Sequence, residues 1–89
     1  MQIREFQQRI EEMYSKTDRQ RGSAATFLWL MEEVGELASA IAENNDPQNK
    51  AEEFADVLAW LCSLANVEGV DLQSALEAKY VHNRPEGHK

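Results

Sequence analysis

Residues 24–67 decide the fold, and they read AATFLWLMEEVGELASAIAENNDPQNKAEEFADVLAWLCSLANV. Apolar side chains recur at steps of three and four on both sides of the Asn-Asn-Asp-Pro turn, which is the period of a helix face. Asp46 can cap a helix, and Pro47 suits a first helical turn. The stretch therefore predicts one helix over Ala24–Glu43 and another from Pro47 to about Val67, and so short a connection makes them antiparallel neighbours.

The flanking residues also predict helices. Residues 3–17 carry an amphipathic helix, and the polar segment Asp18–Ser23 is expected to be a loop. Gly69 suits the end of the third helix, and Asp71 can cap a fourth helix that runs to about His82, before a frayed tail over 85–89. The apolar side chains expected to face inward from the central pair of helices are Phe27, Leu30, Met31, Val34, Leu37, Ala38 and Ile41, with Phe54, Val57, Leu58, Leu61 and Ala65.

The predicted fold class is all-α: a single domain over residues 1–89, built as an antiparallel helical bundle of about four helices per chain. An 89-residue chain has room for one small core, and a single core of this size leaves only a few kcal/mol of stability. The apolar stripes are also generous for so small a chain. We therefore expect a second copy to complete the bundle, in a homodimer or a homotetramer.

Composition narrows the class of protein. Sixteen acidic against nine basic residues give a formal charge of −7, which argues against nucleic acid as a partner. Cys62 is the single cysteine, so no internal disulfide can form, which points to a reducing compartment. No apolar stretch approaches the roughly 18 residues of a membrane span. We expect a cytoplasmic protein without a membrane or nucleic-acid partner.

The two central helices each carry a pair of acidic residues three positions apart. On a helix, residues at this spacing lie about 60° apart on one side, so Glu33 pairs with Glu36, and Glu53 pairs with Asp56. Antiparallel packing brings all four into overlapping layers at the margin of the apolar seam. Carboxylates placed there repel one another and lose hydration, and a divalent cation would offset both effects. The simpler alternative is a solvated acidic flank.

The donor atoms of such a site are all oxygens, which favours magnesium, manganese or calcium over zinc. A di-iron site would need a Glu-x-x-His step, and neither His82 nor His88 follows a Glu by three residues. Magnesium commonly binds a few carboxylates together with substrate phosphates. No glycine-rich phosphate loop is present, and the positive groups available to an anion are Lys50, Lys79, Arg84, Arg19 and Arg21.

The acidic pattern resembles a known family. Glu33-Val34-Gly35-Glu36, sixteen intervening residues and Glu53-Phe54-Ala55-Asp56 are similar to the motif of the all-α nucleoside triphosphate pyrophosphohydrolases. That MazG-like superfamily also includes the dCTP pyrophosphatases and the dimeric dUTPases. The likeness extends to Glu-Glu-Val-Gly-Glu-Leu at 32–37 and to the apolar run at 53–61, and it covers about residues 6–84.

The resemblance implies Mg²⁺-dependent hydrolysis of a nucleoside triphosphate to a nucleoside monophosphate and pyrophosphate, with Mn²⁺ as a second usable ion. It implies that the four acids hold the metal and that one also orients the attacking water. The phosphate contacts implied by the family's later Lys and Asn fall on Lys79, Asn83 and the following Arg84, while Trp29 and Trp60 border the acids and could stack on a base. For each Trp, a role in the core or at an interface is an equal alternative. For the whole chain, the alternative is a helical interaction module without catalysis.

Overall fold

In a computed structural model, which describes residues 1–44 and 46–82, the chain is all-helical. Helix α1 spans Ile3–Ala42, α2 spans Pro47–Glu68, and α3 spans Leu72–Leu76, where a π-helical turn over Glu77–Val81 follows directly. No strand occurs within these described ranges. None of the described helices is long and apolar enough to cross a membrane.

Helix α1 is kinked at Gly22. The backbone there has φ 80° and ψ 173°, a region that is essentially restricted to glycine. The predicted loop over Asp18–Ser23 is therefore wrong, because helical geometry continues to residue 21 and resumes at residue 23. We call residues 3–21 the first arm of α1 and residues 23–42 the second arm. Arg21 links them, donating to Asp18 Oδ1 at 3.0 Å and to Thr26 Oγ1 at 3.4 Å.

The predicted helix caps are present. Asp46 accepts a hydrogen bond from the backbone N–H of Asn49 at 3.0 Å, and Pro47 occupies the first turn of α2. Gly69 ends α2 in the left-handed conformation, and the N–H of Val70 reaches back to the carbonyl of Ala65 at 2.9 Å. This is the Schellman pattern, in which a glycine after the helix allows the chain to turn back over the last carbonyls.

The predicted fourth helix is divided between two short elements. Asp71 does cap α3, accepting from the N–H of Ser74 at 3.2 Å, but regular α-helix ends at Leu76 and the π-helical turn carries the chain to Val81. Arg4 binds Asp71 through Nη2 at 2.8 Å, and so holds α3 against the start of the first arm.

Both arms of α1 pack against α2. The buried Gln7 of the first arm donates to Asn66 Oδ1 at 2.9 Å and accepts from the N–H of Leu72 at 2.9 Å, which fixes the arm near the end of α2. The second arm runs antiparallel to α2, beginning where Ser23 donates to Glu68. The predicted hairpin of antiparallel helices is present.

The predicted apolar stripes are only partly inward. Leu30, Ala40 and Ala65 are buried, whereas Phe27 is 48% exposed and Phe54 is 58% exposed. The expected inward positions that are instead exposed are Phe27, Met31, Val34, Ala38, Ile41, Phe54 and Leu61. One α2 helix covers only one side of the second arm, so the stripe that it does not reach stays in contact with solvent.

Candidate metal centre

Three acidic side chains converge between the second arm and α2. Glu33 follows the buried Leu30 by three residues and precedes Leu37 by four, so helical periodicity places it on the face toward α2. Glu53 and Asp56 lie on the facing side of α2. One carboxylate oxygen from each of these three residues lies within 4.8 Å of the other two.

Two of these carboxylates carry oxygens without partners. Glu33 Oε2 and Glu53 Oε2 are shielded from solvent, and neither accepts a hydrogen bond from any described residue. Burial, followed by the charges of Glu36 and Asp56, raises the pKa of Glu33 above its ordinary 4.5. Burial, followed by the same two charges, also raises the pKa of Glu53. Each acid is thus held where its charged form is unfavourable.

The three residues fit a hard divalent cation. Their donors are all carboxylate oxygens, which suit Mg²⁺, Mn²⁺ or Ca²⁺. Two shielded oxygens that lack a partner are what a cation would coordinate, and positive charge there would offset the burial and the repulsion that together raise both pKa values. Glu36, the fourth predicted acid, lies outside the group of three, although its charge acts on both Glu33 and Glu53.

The two tryptophans beside the acids stack on each other. The ring centroids of Trp29 and Trp60 are 6.2 Å apart, and their planes differ by 20°. The guanidinium carbon of Arg21 lies 4.9 Å from the centroid of Trp60. Trp60 therefore already contacts an aromatic ring and a cation within the chain, while Trp29 remains 48% exposed.

Two of the predicted phosphate ligands have partners within the chain, and the other two lie outside the described residues. Lys50 Nζ donates to Asn44 Oδ1 at 3.1 Å, across the turn between α1 and α2. Lys79, in the π-helical turn, places its ammonium group 5.5 Å from the ring centroid of Tyr80. Asn83 and Arg84 lie outside the described residues.

A cavity of 290 Å³ adjoins the three acids. Its lining residues come from the first arm and α2, and they are Ile10, Tyr14, Asp18, Arg21, Asp56, Ala59, Trp60 and Ser63. Asp56 belongs to both the cavity wall and the acidic group, so the two share this residue. The sequence interpretation missed Tyr14 and Asp18. Their spacing of four, followed by three to Arg21, would have placed all three on one face if residues 18–21 had been read as helix.

The family model of the MazG nucleotide pyrophosphohydrolase domain matches residues 21–87, which is more than half of the chain. The matched range contains the second arm and α2, and therefore all three converging acids. No curated protein matches the sequence significantly.

Proposed function

Because the chain belongs to the MazG nucleotide pyrophosphohydrolase family, we propose that it is a Mg²⁺-dependent hydrolase of (deoxy)nucleoside triphosphates. It cleaves the bond between the α- and β-phosphates and releases a nucleoside monophosphate and pyrophosphate. Mn²⁺ is a second usable ion. The activity serves control of the nucleotide pool or removal of unwanted nucleotides.

One observation carries the metal dependence. Glu33 and Glu53 present shielded carboxylate oxygens from two facing helices, and no described residue donates a hydrogen bond to either oxygen. A buried acceptor without a donor costs about 1–3 kcal/mol, more when it is charged. Such an arrangement lowers the stability of the fold. A site that binds a cation together with a triphosphate needs these free oxygens as ligands.

The roles follow from position. Glu33, Glu53 and Asp56 hold the cation, which supplies positive charge to the phosphate oxygens as pyrophosphate leaves. Glu36 lies beside Glu33 and is assigned as a fourth ligand of the cation, and one of the four acids also orients the water that attacks the α-phosphorus. The phosphate contacts are assigned to Lys50, Lys79, Asn83 and Arg84, and Trp29 and Trp60, which stack on each other, are assigned to binding the substrate.

We further propose that the active form is a homo-oligomer in the cytoplasm. Several large apolar side chains are exposed on the described part of the chain, and an oligomer would bury them. Much of the exposed apolar surface follows one side of the second arm at steps of four, three and seven, at Phe27, Met31, Val34 and Ile41.

Sedimentation at micromolar concentration tests the assembly. A dimer or a tetramer is expected, and Leu28→Glu, at a position 69% exposed beside this stripe, should shift the population to monomer. Gln20→Glu adds the same charge at an exposed polar position of the first arm and should leave the assembly intact. A monomeric mass for the unmodified protein would contradict the proposal.

Pyrophosphate release from a panel of nucleoside triphosphates tests the enzyme. We expect turnover with Mg²⁺ or Mn²⁺ and none in excess chelator. Asp56→Asn should lose most of the turnover while keeping its helical circular dichroism, whereas Glu43→Gln, at the exposed end of α1, should keep both. Folded protein that turned over no nucleotide would leave the non-catalytic helical module as the better reading.

A further inference from the structure

The wall of the cavity beside the acids contains a carboxylate that is not fully satisfied. Asp18 is only 2% exposed, and its Oδ1 atom accepts from Arg21 Nη1 at 3.0 Å. Its Oδ2 atom accepts no hydrogen bond from the described part of the chain. Asp18 does not belong to the group of three acids that could share a cation. Asp18 is one of the residues that line the cavity, so a ligand bound there would lie next to this side chain.

We propose that Asp18 selects the base of the substrate by accepting a hydrogen bond, through Oδ2, from an amino group on the base. The proposal rests on the hydrolase function proposed above and names the class of nucleotide that the site prefers. Bases that carry an amino group are favoured over bases that carry a carbonyl oxygen at the same position, because a carbonyl would face the carboxylate as a second acceptor.

Charge argues that the cavity takes the base rather than the phosphates. Asp18 and Asp56 place two carboxylates in its wall, and Arg21 is the single cation among its lining residues. That guanidinium is already engaged, because it pairs with Asp18 and lies over Trp60. A triphosphate would meet net repulsion there, whereas a neutral ring with an outward amino group would not.

Size and lining agree with this occupant. The volume of 290 Å³ is close to the lower end of ligand pockets, which is about 300 Å³. Ile10, Ala59 and the ring of Trp60 supply apolar surface, while Tyr14 and Ser63 supply hydroxyl groups that can donate or accept. Since Asp56 also lines the cavity, a base bound there would leave its phosphates directed toward the three acids.

The chain offers a matched control for Asp18. Glu11, also on the first arm, pairs with Arg19 at 2.7 Å and likewise has a shielded oxygen, Oε2, without a partner. Glu11 lines a separate concavity near the end of α2, with Arg4 and Asn66. Glu11→Gln therefore removes the same kind of charge from the same arm without touching the cavity beside the acids.

Two pairs of substrates exchange the amino group for a carbonyl. Cytosine and uracil differ in this way at one ring position, where the adjacent ring nitrogen also changes from an acceptor to an N–H donor, and adenine and hypoxanthine differ in the same way. For the unmodified protein we expect kcat/KM to favour dCTP over dUTP, and dATP over dITP, by about tenfold or more in at least one pair and in the same direction in both. Calorimetric titration with the α,β-imido analogues of the four nucleotides, in which the bond to be cleaved is blocked, should give the same order of Kd without turnover.

Asp18→Asn should abolish or reverse this preference. Arg21 donates to Oδ1, so the amide oxygen takes that place and the NH₂ group faces the cavity, where it matches a carbonyl instead of an amino group. The ratio of the two substrates in each pair should fall at least tenfold in Asp18→Asn and stay within about twofold of the unmodified protein in Glu11→Gln. Circular dichroism establishes that each variant is folded.

The outcomes separate the two proposals. Turnover of all four nucleotides at similar kcat/KM, or an amino preference that persists in folded Asp18→Asn, overturns the role of Asp18 and leaves the hydrolase intact. Absence of turnover with any nucleotide overturns the hydrolase. If Asp18→Asn does not fold, the affinities of the unmodified protein decide: equal Kd values within each pair overturn the proposal, and an amino preference in both pairs supports it.

Discussion

Replacing Glu33 with Gln should make the metal-free protein more stable and the metal-loaded protein less stable. Glu33 lies on the buried face of the second arm, within 4.8 Å of Asp56, and its Oε2 atom has no partner. The substitution removes the charge and keeps the size of the side chain. In excess chelator, Glu33→Gln should therefore have a higher melting temperature than the unmodified protein. With saturating Mg²⁺, the unmodified protein should have the higher melting temperature.

The magnitude follows from the spacing. Two unit charges about 4.8 Å apart repel by about 1 kcal/mol even at the dielectric constant of water. For a domain of this size, 1 kcal/mol shifts the melting temperature by about 4–8 °C. A cation at 100 times its dissociation constant stabilises the native state by about 2.7 kcal/mol. This stabilisation exceeds the repulsion, so the unmodified protein should become more stable than Glu33→Gln once the ion is saturating.

Thermal unfolding followed by circular dichroism, at constant ionic strength, measures both effects. Glu32→Gln removes an exposed charge one residue away and should behave as the unmodified protein in both buffers. The pKa of Glu33 is raised, so the cost of its charge is absent below pH 4.5 and grows as the pH rises through the shifted value. The advantage of Glu33→Gln in chelator should therefore vanish below about pH 4.5.

Two results would refute this reasoning. A lower melting temperature for Glu33→Gln in chelator would mean that the charge is stabilising and that the carboxylates are not in conflict. An equal rise with Mg²⁺ in Glu33→Gln and in the unmodified protein would mean that Glu33 does not bind the ion. Screening alone cannot produce the inversion, because the ionic strength is held constant.

Three further predictions concern the backbone and the termini of the helices. Gly22→Ala should destabilise the protein by about 1–3 kcal/mol in urea unfolding, because the glycine-only conformation is lost although a Cβ there would meet no atom within 4 Å; unchanged stability would show that the kink is not required. Gly35→Ala, in helical backbone with equally open space, should instead stabilise the chain by about 0.5–1 kcal/mol, and a loss of stability would reveal a contact at this position. The bonds from Arg4 and Ser74 hold the pKa of Asp71 at about 2, below its ordinary 3.8, so the stability lost in Asp71→Asn should be constant above pH 4 and disappear as the pH falls toward 2. An acid titration in which the difference between Asp71→Asn and the unmodified protein does not shrink would contradict this.

Local signals predicted the part of the site that lies on the hairpin. Asp46 and Pro47 fix where α2 begins, and helical periodicity fixes the direction of each side chain. The direction of a side chain on its helix and its distance from the short turn are enough to predict that Glu33 lies near the two acids of α2. The same arithmetic included Glu36, which is not among the three acids whose oxygens lie within 4.8 Å of one another, although its charge acts on both Glu33 and Glu53.

The remainder depended on side-chain contacts that composition and spacing did not reveal. Residues 18–21 are polar, and this composition predicted a loop, but they stay helical while Arg21 pairs with Asp18 and Arg19 pairs with Glu11. Such ion pairs give polar side chains their hydrogen-bond partners on a helix, as water does in a loop. The stacking of Trp29 on Trp60 was likewise not predictable from spacing, which showed only that both border the acids.

Because of the kink at Gly22, the number of residues in the neighbouring segment determines where Asp18 lies. A flexible loop would absorb an extra residue at little cost, since closure entropy changes slowly with length. Here the helix continues on both sides of the kink, so no flexible residues are available to absorb an insertion. One residue inserted between Asp18 and Gly22 would turn the preceding arm by about 100° and advance it by about 1.5 Å. Asp18 would then swing out of the cavity wall while the three acids kept their places, and binding of the ion would be uncoupled from the choice of base.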